Sequence, residues 1–406
     1  MDLPSAPCPA WLITRLKAFG GSVSFHQYMD WVLNDPDQGA YATGKLRIGV
    51  DGDFVTSPSL GGDFAQLLAV QLADWFDQLE QRNHSDQRLT LVEAGPGEGQ
   101  LAIDLITALE SLCPDLLPKL DLVLVEPNQG MAERQRQRLA LLKPSVSIHW
   151  RSFADLAAAP VVGVLLAHEV LDALPVERLV WRHNALHRQG VGFEMVNSEP
   201  YLRFIELPIP EELKLSIEKA NRSLGITIPP PNVPDGWCSE WHQDLEPWLK
   251  QAASALQMGP MLVIDYALEA RRYFNAARGD GTLMAYRQQM ASSALLESPG
   301  CCDLTAHLCL ETLQYQAEQQ GWNCLGEVRQ GQALLALGLA EQLYGLQKLP
   351  PTQLSDAFQR REALLRLVDP AGLGEFRWLA FEIKPISSNH AEQPKLHCKF
   401  LEEPVR

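Results

Sequence analysis

The chain has 406 residues, of which 46% are hydrophobic and 21% are charged. This composition is ordinary for a folded globular protein, and the length allows one large elaborated domain or two to three smaller ones. The formal net charge of −16 argues against a general nucleic-acid-binding protein, because phosphate binding requires clustered Lys and Arg. A net negative charge favours solubility and would also favour binding to a basic partner.

Signals for targeting, membrane insertion and metal binding are missing from the sequence. The segment Met1–Ala10 has no Lys or Arg and no long apolar stretch, so it fits neither a secretory leader nor an Arg-rich presequence. The mid-chain apolar run Val161–Ala167 is far too short to span a membrane. The cysteines form no C-x-x-C pair. We therefore expect a cytoplasmic protein with free thiols, no metal site and no membrane insertion.

The first eighty residues combine helical patterns with turn-rich loops. Apolar spacing predicts helices over Pro9–Phe19 and Phe64–Leu79. Between them lie the turn-rich segments Asp35–Gly44 and Gly52–Pro58. Loops held on a scaffold in this way frequently carry function. We treat residues 1–80 as an N-terminal extension.

Short β-prone runs then alternate with helical patterns, which indicates an α/β protein with a mainly parallel, doubly wound sheet. The predicted strands are Leu89–Glu93, Leu120–Glu126, Val161–Ala167, Met261–Tyr266, Asn323–Arg329 and Phe376–Lys384, the predicted helices include Leu101–Leu112 and Met131–Leu142, and Leu179–Val196 has the pattern of a two-stranded excursion. The Pro-rich passage Ile228–Pro234 favours an insertion. We expect one domain over residues 81–385, with an insertion at about 200–250, a helical insertion at about 268–320, and a poorly ordered tail over 386–406.

A glycine-rich turn follows the first buried strand. Gly95, Gly97 and Gly99 stand where a strand passes into a helix, which lets backbone approach a ligand at the helix N-terminus. The dinucleotide fingerprint would require Gly or Ala at Gln100, and no Gly-Lys-Ser/Thr follows for a Walker A loop. A G-x-G-x-G turn with an acid two positions earlier, here Glu93, is typical of S-adenosylmethionine enzymes.

A second acid is expected at the end of the next strand, where it would bind ribose hydroxyls. Glu126 fits, and the loop Cys113–Lys119 accounts for its 33-residue distance from Glu93. The alternative is a strand–turn–helix without a ligand.

The candidate catalytic segment follows the strand Val161–Ala167. Glu169 and Asp172 lie three residues apart at the carboxyl end of this strand, where ligands bind in open α/β sheets. Two carboxylates could orient a guanidinium through paired hydrogen bonds. The alternative makes Asp172 a helix cap and Glu169 a solvated side chain, and His168 is better explained as a packed ring than as a base.

Two further sets of residues have weaker patterns. The motif Asp303–His307 could place a histidine in a substrate cleft, although a structural histidine is an equal explanation. Trp237, Trp241 and Trp248 have roughly helical spacing, which packing of the insertion explains.

Taken together, these motifs resemble the MidA family of S-adenosylmethionine-dependent methyltransferases, over about residues 15–385. The motifs that carry the resemblance are Gly52–Pro58, Val92–Gly99, Leu124–Glu126, His168–Val176, Leu262–Tyr266, Gly281–Arg287 and Asp303–His307. The resemblance implies a class I (Rossmann-like) methyltransferase fold whose N-terminal extension covers S-adenosyl-L-methionine, with Ser57 and Phe153 added to the cofactor site. For the mitochondrial members it also implies symmetric dimethylation of an arginine in a complex I subunit, so we expect a protein substrate, such as a subunit of a complex I-like NADH dehydrogenase. An oligomer is compatible with the sequence.

The sequence departs from the family pattern at Ser59, Gln66, His168 and Ala267. Three hypotheses remain open. The first is a protein-arginine N-methyltransferase in which Glu93, Gly95, Gly97, Gly99 and Glu126 hold the cofactor and Glu169 and Asp172 orient the acceptor. The second is a methyltransferase for another amine or a small molecule. The third is a non-catalytic S-adenosylmethionine-binding assembly factor, which would have no need of the Glu169/Asp172 pair.

Overall fold

The computed structural model describes residues 6–49, 52–82, 87–140, 146–383 and 394–403. The strands of these residues are β1 (Ala6–Pro7), β2 (Ser22–Ser24), β3 (Leu89–Ala94), β4 (Leu120–Val125), β5 (Ser147–Trp150), β6 (Val161–His168), β7 (Glu177–Arg182), β8 (Ala185–Val196), β9 (Glu199–Leu207), β10 (Cys238–Trp241), β11 (Leu256–Asp265), β12 (Ala267–Leu268), β13 (Met284–Arg287), β14 (Met290–Ser292), β15 (Asp303–Thr305), β16 (Leu308–Cys309), β17 (Asn323–Arg329) and β18 (Arg377–Ile383). The α-helices are α1 (Ala10–Ala18), α2 (Phe25–Asn34), α3 (Asp63–Arg82), α4 (Gln100–Leu112), α5 (Gln129–Leu139), α6 (Phe153–Ala158), α7 (Glu211–Leu224), α8 (Leu245–Ala255), α9 (Ala270–Tyr273), α10 (Leu310–Gln319), α11 (Gln330–Ala336), α12 (Leu339–Leu346) and α13 (Leu354–Leu367).

The central sheet has seven strands in the order β17-β18-β11-β6-β3-β4-β5. Strands β5, β4, β3, β6 and β11 pair in parallel, and β18 runs antiparallel between β11 and β17. Since β17 and β11 are both antiparallel to β18, only β18 is reversed. The six strands predicted for this sheet are all present, although Lys384 at the end of the last one lies outside the described residues.

Helices cover both faces of this sheet. One hydrophobic cluster joins α3, α4 and α11–α13 to one face, and a second joins α6, α8 and α10 to the other. All residues of β3 and β6 are buried, as expected for strands covered on both sides. The predicted helices over Leu101–Leu112 and Met131–Leu142 appear as α4 and α5, and the end of the second prediction, residues 141–142, lies outside the described residues.

The extension expected over residues 1–80 is not one unit in the structure. Helix α3 packs into the core of the central sheet, where Phe64, Leu72 and Trp75 are fully buried. Helices α1 and α2 belong to a separate cluster, together with the antiparallel strands β8 and β9. Helix α3 lies apart from α1 and α2 because its long apolar face is buried against the central sheet.

The insertion expected at about 200–250 begins earlier and is mainly antiparallel sheet. Strands β1-β9-β8-β7-β10 form this second sheet, and β2 pairs with β8. The predicted two-stranded excursion is therefore the centre of a larger sheet that recruits the N-terminal strands. Helix α8, which begins within 200–250 and ends at Ala255, packs against α6 in the layer of the central sheet.

Two further predictions are corrected by the structure. The segment at about 268–320 is not mainly helical: it contains β12–β16 and the four-residue α9, with α10 from Leu310 as its one longer helix among the described residues. The tail is not poorly ordered over residues 394–403, where Leu396, Cys398 and Phe400 are buried in the main core. Residues 384–393 and 404–406 lie outside the described residues. These three apolar side chains pack this polar segment into the core.

Candidate active site

The glycine turn lies at the carboxyl end of β3 and adopts backbone conformations that favour glycine. Gly95, Gly97 and Gly99 have φ values of 61°, 51° and 75°. A Cβ atom on Gly95 would lie 2.5 Å from Cγ2 of Val170, and one on Gly97 would lie 2.9 Å from Cδ1 of Ile48. A larger residue would therefore be strained by the backbone conformation at all three positions, and at Gly95 and Gly97 it would also have to displace Val170 and Ile48. Gly99 is the N-cap of α4, so the N-terminus of that helix points to the same side.

Glu93, at the end of β3, has the signature of a ligand-binding side chain. Its side chain is buried, and its Oε2 atom has no hydrogen-bond partner in the protein. Burial raises the pKa of this carboxyl from 4.5 to about 8. A buried polar atom without a partner costs free energy unless a ligand satisfies it. Together with the glycine cradle, this unsatisfied oxygen fits a bound cofactor beside the turn.

Glu126 follows β4 at the same edge of the sheet and is linked to the glycine turn through Gln135. Its Oε1 accepts from the backbone N–H of Asn128 at 2.8 Å, and its Oε2 accepts from Nε2 of Gln135 at 3.1 Å. The same Nε2 donates to the carbonyl of Gly97 at 2.8 Å. Burial raises the pKa of Glu126 to about 7, against the lowering effect of its hydrogen bonds.

The N-terminal segment lies over the glycine turn. The backbone N–H of Ile48 approaches Oε1 of Glu98 at 3.5 Å, and Arg134 pairs with the same carboxylate at 3.2 Å. Arg134 also donates to the carbonyls of Gly44 and Leu46, at 3.2 and 2.8 Å. These contacts tie residues 44–48 to the first turn after β3.

Ser57 and Phe153, expected at the cofactor, are both placed against protein groups. The hydroxyl of Ser57 is buried and contacts the side chain of Gln330, with Nε2 of Gln330 at 3.1 Å. The backbone N–H of Ser57 hydrogen-bonds to the carboxyl of Glu169. The ring of Phe153 is buried edge-on against Trp248, with ring centroids 5.5 Å apart. Their roles toward a cofactor stay predictions.

Glu169 and Asp172 are brought together in a buried turn after β6. Glu169 has a left-handed backbone with φ of 50°, and its Oε1 has no hydrogen-bond partner. Asp172 is buried. Burial is the main cause that raises the pKa of both carboxyls well above the ordinary range, and the charges of Asp265 and Asp303 raise both further.

Two more acids complete this cluster. Asp265 ends β11 and is fully buried, and burial raises its pKa to about 7. Asp303 begins β15, where burial raises its pKa to about 6, and its Oδ1 accepts a 2.9 Å hydrogen bond from the hydroxyl of Tyr41. Among the described residues, the cluster thus draws acids from β6, β11 and the 268–320 segment to one place. We name Glu169, Asp172, Asp265 and Asp303 the carboxylate cluster.

Tyrosines surround the carboxylate cluster. The charges of Asp303 and Asp172 contribute, after burial, to raising the pKa of Tyr41. The same acids and Glu169 act on Tyr286, and Glu169 acts on Tyr266. These phenols therefore stay protonated beside the acids. A cluster of acids with aromatic neighbours is suited to a cation, through charge and through the ring faces.

The histidines have structural surroundings. Burial lowers the pKa of His168 to about 3, and its ring packs edge-on against Phe64 at 5.4 Å. This agrees with the interpretation of His168 as a packed ring. The ring of His307 lies 5.4 Å from that of Tyr266, and burial lowers the pKa of His307 to about 4. Both rings are neutral at physiological pH.

The three tryptophans are packed as predicted, but not as one set. Trp237 and Trp241 are buried with α7 and α9, whereas Trp248 packs beside Phe153 in the layer of the central sheet. Gln66, a departure from the family pattern, is exposed on α3 and contacts Gln342. Ser59 hydrogen-bonds within its own turn, with its Oγ accepting from the N–H of Thr56 at 2.9 Å.

Sequence reasoning overlooked Gln135, Asp265, Asp303 and Tyr41 as site residues. Asp265 could have been found, because it stands at the carboxyl end of a buried strand, as Glu93 and Glu126 do. Asp303 is part of the motif Asp303–His307, in which the sequence analysis considered only His307 as a functional residue. Gln135 and Tyr41 carry no sequence signal of their own, since only the fold brings them to the site.

Other features of the described part of the chain bear on function. None of its helices is both long and apolar enough to cross a membrane. Within the same residues, no group of three or more His, Cys, Asp and Glu side chains is placed to hold a metal ion. All eight cysteines are free thiols.

A sheet of this order, a glycine turn with an unsatisfied acid beside it and a second acid at the next strand define an S-adenosylmethionine-dependent methyltransferase. Comparison with known proteins agrees. Residues 67–328 match the family model described as "Putative S-adenosyl-L-methionine-dependent methyltransferase". The chain belongs to this family, and S-adenosyl-L-methionine is its cofactor.

Several proteins are similar to this one over most of the chain. The mitochondrial protein arginine methyltransferase NDUFAF7 of Homo sapiens is 25% identical, covering 94% of this chain and 84% of that protein. The NDUFAF7 homolog of Drosophila melanogaster is also 25% identical, covering 89% and 81%. A crystal structure of a Burkholderia thailandensis protein bound to S-adenosylhomocysteine is 27% identical, covers 92% of this chain and 90% of that one, and superposes with a TM-score of 0.79.

Proposed function

We propose that this protein is a protein-arginine N-methyltransferase of class I fold, with Glu169 and Asp172 as the residues that bind and orient the acceptor. The family and the cofactor are established by the comparisons, whereas the acceptor is the proposal. The observation that carries it is the carboxylate cluster: four buried acids, each with a raised pKa, converge where a parallel sheet binds its ligands.

The cofactor side of the site is assigned to the residues around the glycine turn. Gly95, Gly97 and Gly99 let the backbone approach the ligand, and the free Oε2 of Glu93 would accept from its amino group. Glu126, held by Gln135, would accept from the ribose hydroxyls. When bound, S-adenosyl-L-methionine supplies an electrophilic methyl group on a sulfonium.

The acceptor side is assigned to the carboxylate cluster. Buried acids repel one another and are costly to ionise, so the cluster favours a ligand that brings positive charge. A guanidinium offers several N–H donors in a plane and matches two carboxylates at once. Methylation of a guanidinium nitrogen releases one proton, and a carboxylate whose pKa is raised by burial binds a proton more tightly than an exposed one, so Glu169 or Asp172 in its ionised form could accept it.

The proposed partner follows from the resemblance. We propose a protein substrate, such as a subunit of a complex I-like NADH dehydrogenase, with residues 44–48 of the N-terminal extension forming part of a lid over the cofactor. This lid is supported by the contact of Ile48 with Glu98 of the glycine turn and by the ion pair of Arg134 with the same carboxylate. A cytoplasmic location stays a prediction, because the relatives named above are mitochondrial proteins.

A second candidate is methylation of another amine, since an ammonium would also satisfy acids. The experiment that separates the two uses matched peptide arrays with methyl-labelled S-adenosyl-L-methionine, in which each arginine is replaced by lysine. Label on arginine peptides alone supports the proposal. Label on lysine peptides or on small amines alone would overturn the choice of acceptor. Binding of the cofactor without transfer to any acceptor, protein extracts included, would favour the assembly factor.

A further inference from the structure

Asp265 accepts hydrogen bonds from backbone N–H groups, and these bonds have no part in the binding of cofactor or acceptor proposed above. Its Oδ2 accepts from the backbone N–H of Leu171 at 3.1 Å and of Asp172 at 3.3 Å. Its Oδ1 accepts from the N–H of Tyr266 at 2.8 Å. The carboxylate is fully buried, so these bonds are formed without competition from water.

The turn that Asp265 holds, residues 169–172, borders both the proposed cofactor site and the proposed acceptor site. Glu169 and Asp172 stand at its two ends, in the carboxylate cluster. Val170, between them, contacts the glycine turn, since a Cβ on Gly95 would lie 2.5 Å from its Cγ2. The same short segment thus borders the cofactor site and carries the acceptor residues.

This turn requires an external support. Glu169 has φ of 50°, a left-handed backbone conformation that is unfavourable for a non-glycine residue. Its N–H donates to the carbonyl of Ile264 at 2.9 Å, so β11 holds the turn at its start as Asp265 holds it further on.

We infer that Asp265 is a positioning residue, which fixes the 169–172 turn so that the acceptor is aligned with the cofactor beside Gly95. The inference rests on the proposed function. Transfer of a methyl group requires an in-line approach, and a misplacement of about 1 Å can cost about 100-fold in rate. Asp265 touches neither ligand in this role and acts through the backbone of Leu171 and Asp172.

The test compares the full-length Asp265→Asn and Glu382→Gln variants with the wild type. Glu382 is the matched control: it is a buried carboxylate paired with Arg82 at 2.9 Å, on β18 opposite the start of β11 and away from the site. We measure kcat per cofactor-binding site, with the sites counted by calorimetric titration with S-adenosyl-L-methionine. We expect Asp265→Asn to lose about 100-fold in kcat with cofactor Kd within about threefold, and Glu382→Gln to keep kcat.

The outcomes separate the inference from the proposed function. A wild type that labels no arginine peptide defeats the proposed function, whatever Asp265 does. An active wild type whose Asp265→Asn variant keeps its kcat per binding site overturns the inference. Amide hydrogen exchange of the wild type provides a test that does not depend on a variant folding: strong protection of the Leu171 and Asp172 amides without ligand is expected, and exchange at the rate of an open loop would contradict a fixed turn.

Discussion

The side-chain amide of Gln135 donates a hydrogen bond to the backbone carbonyl of Gly97 at 2.8 Å. The same nitrogen lies 3.1 Å from Oε2 of Glu126, and the amide oxygen accepts from Nε1 of Trp150 at 3.1 Å. Gln135 is itself fully buried. One side chain from α5 therefore links the glycine turn to Glu126, the second acid of the candidate cofactor site.

Replacing Gln135 by Leu should weaken cofactor binding while leaving the fold in place. Leu keeps most of the volume but removes both donated hydrogen bonds, one of them to a carboxylate, which together are worth roughly 1–3 kcal/mol. We expect the Kd for S-adenosyl-L-methionine to rise at least about tenfold in calorimetric titration. Gln137→Leu, an exposed position on the same helix, is the control and should bind as the wild type does. Equal binding by both variants would remove Gln135 from the site.

Gln135 is a site residue that could not be predicted from the sequence, unlike the acids. The glycine turn and the acids Glu93, Glu126, Glu169 and Asp172 could be predicted because they follow buried strands, and parallel strands end at one edge of the sheet. Gln135 lies inside a polar helix whose neighbours are also Gln and Arg. Its partners are Gly97 of the glycine turn, Glu126 after β4 and Trp150 on β5, and nothing local distinguishes it from Gln137.

The same limit applies to the segments outside the central sheet. Strand–helix alternation is a local pattern, so the strands of that sheet were found. The pairing of β1 and β2 with β9 and β8 joins the N-terminus to residues beyond 185, and such a pairing has no local signal. The tail was expected to be poorly ordered from its polarity, yet the ring of Phe400 packs between Trp75 and Trp378, at 6.1 and 5.6 Å.

Gly97→Val should abolish cofactor binding for two reasons. The backbone at Gly97 has φ of 51°, and a Cβ there would come within 2.9 Å of Ile48. Gly225→Val is the matched control, because its φ is 64° but a Cβ would meet nothing within 4 Å. Both variants pay a similar conformational cost of about 1 kcal/mol or more. Only Gly97→Val should lose binding in calorimetric titration, whereas loss in both would point to the fold instead of the turn.

Asp172→Asn should preserve cofactor binding and reduce turnover. The variant keeps the shape and buried position of Asp172 but replaces the carboxyl, which we propose binds the acceptor, with an amide that cannot take up a proton or become negatively charged. We expect kcat/KM for an arginine peptide to fall about 100-fold or more, with the Kd for S-adenosyl-L-methionine unchanged. Asp121→Asn, which removes an acid paired with Arg88 at the opposite end of the parallel strands, should keep full activity. Wild-type activity in Asp172→Asn would exclude it from the acceptor site.

Glu93→Gln should stabilise the ligand-free protein at alkaline pH while weakening cofactor binding. Burial raises the pKa of Glu93 from 4.5 to about 8, so the folded state holds the proton more tightly than the unfolded chain does. The stability contributed by the protonated carboxyl is complete below about pH 4.5 and is lost as the pH rises through about 8. Gln resembles the protonated form at every pH. Thermal unfolding should therefore show no gain in Tm at pH 4 and a gain of about 2–5 °C at pH 9.

The exposed Glu110 on α4 provides the control for this pH dependence. Glu110→Gln should follow the wild type across the same pH range. The difference in Tm between Glu93→Gln and the wild type should also shrink when S-adenosyl-L-methionine is added, because the cofactor stabilises the wild type more than the variant. A constant difference in Tm from pH 4 to pH 9 would mean that the carboxyl of Glu93 does not titrate in this range. An undiminished cofactor affinity would mean that its free oxygen has another purpose.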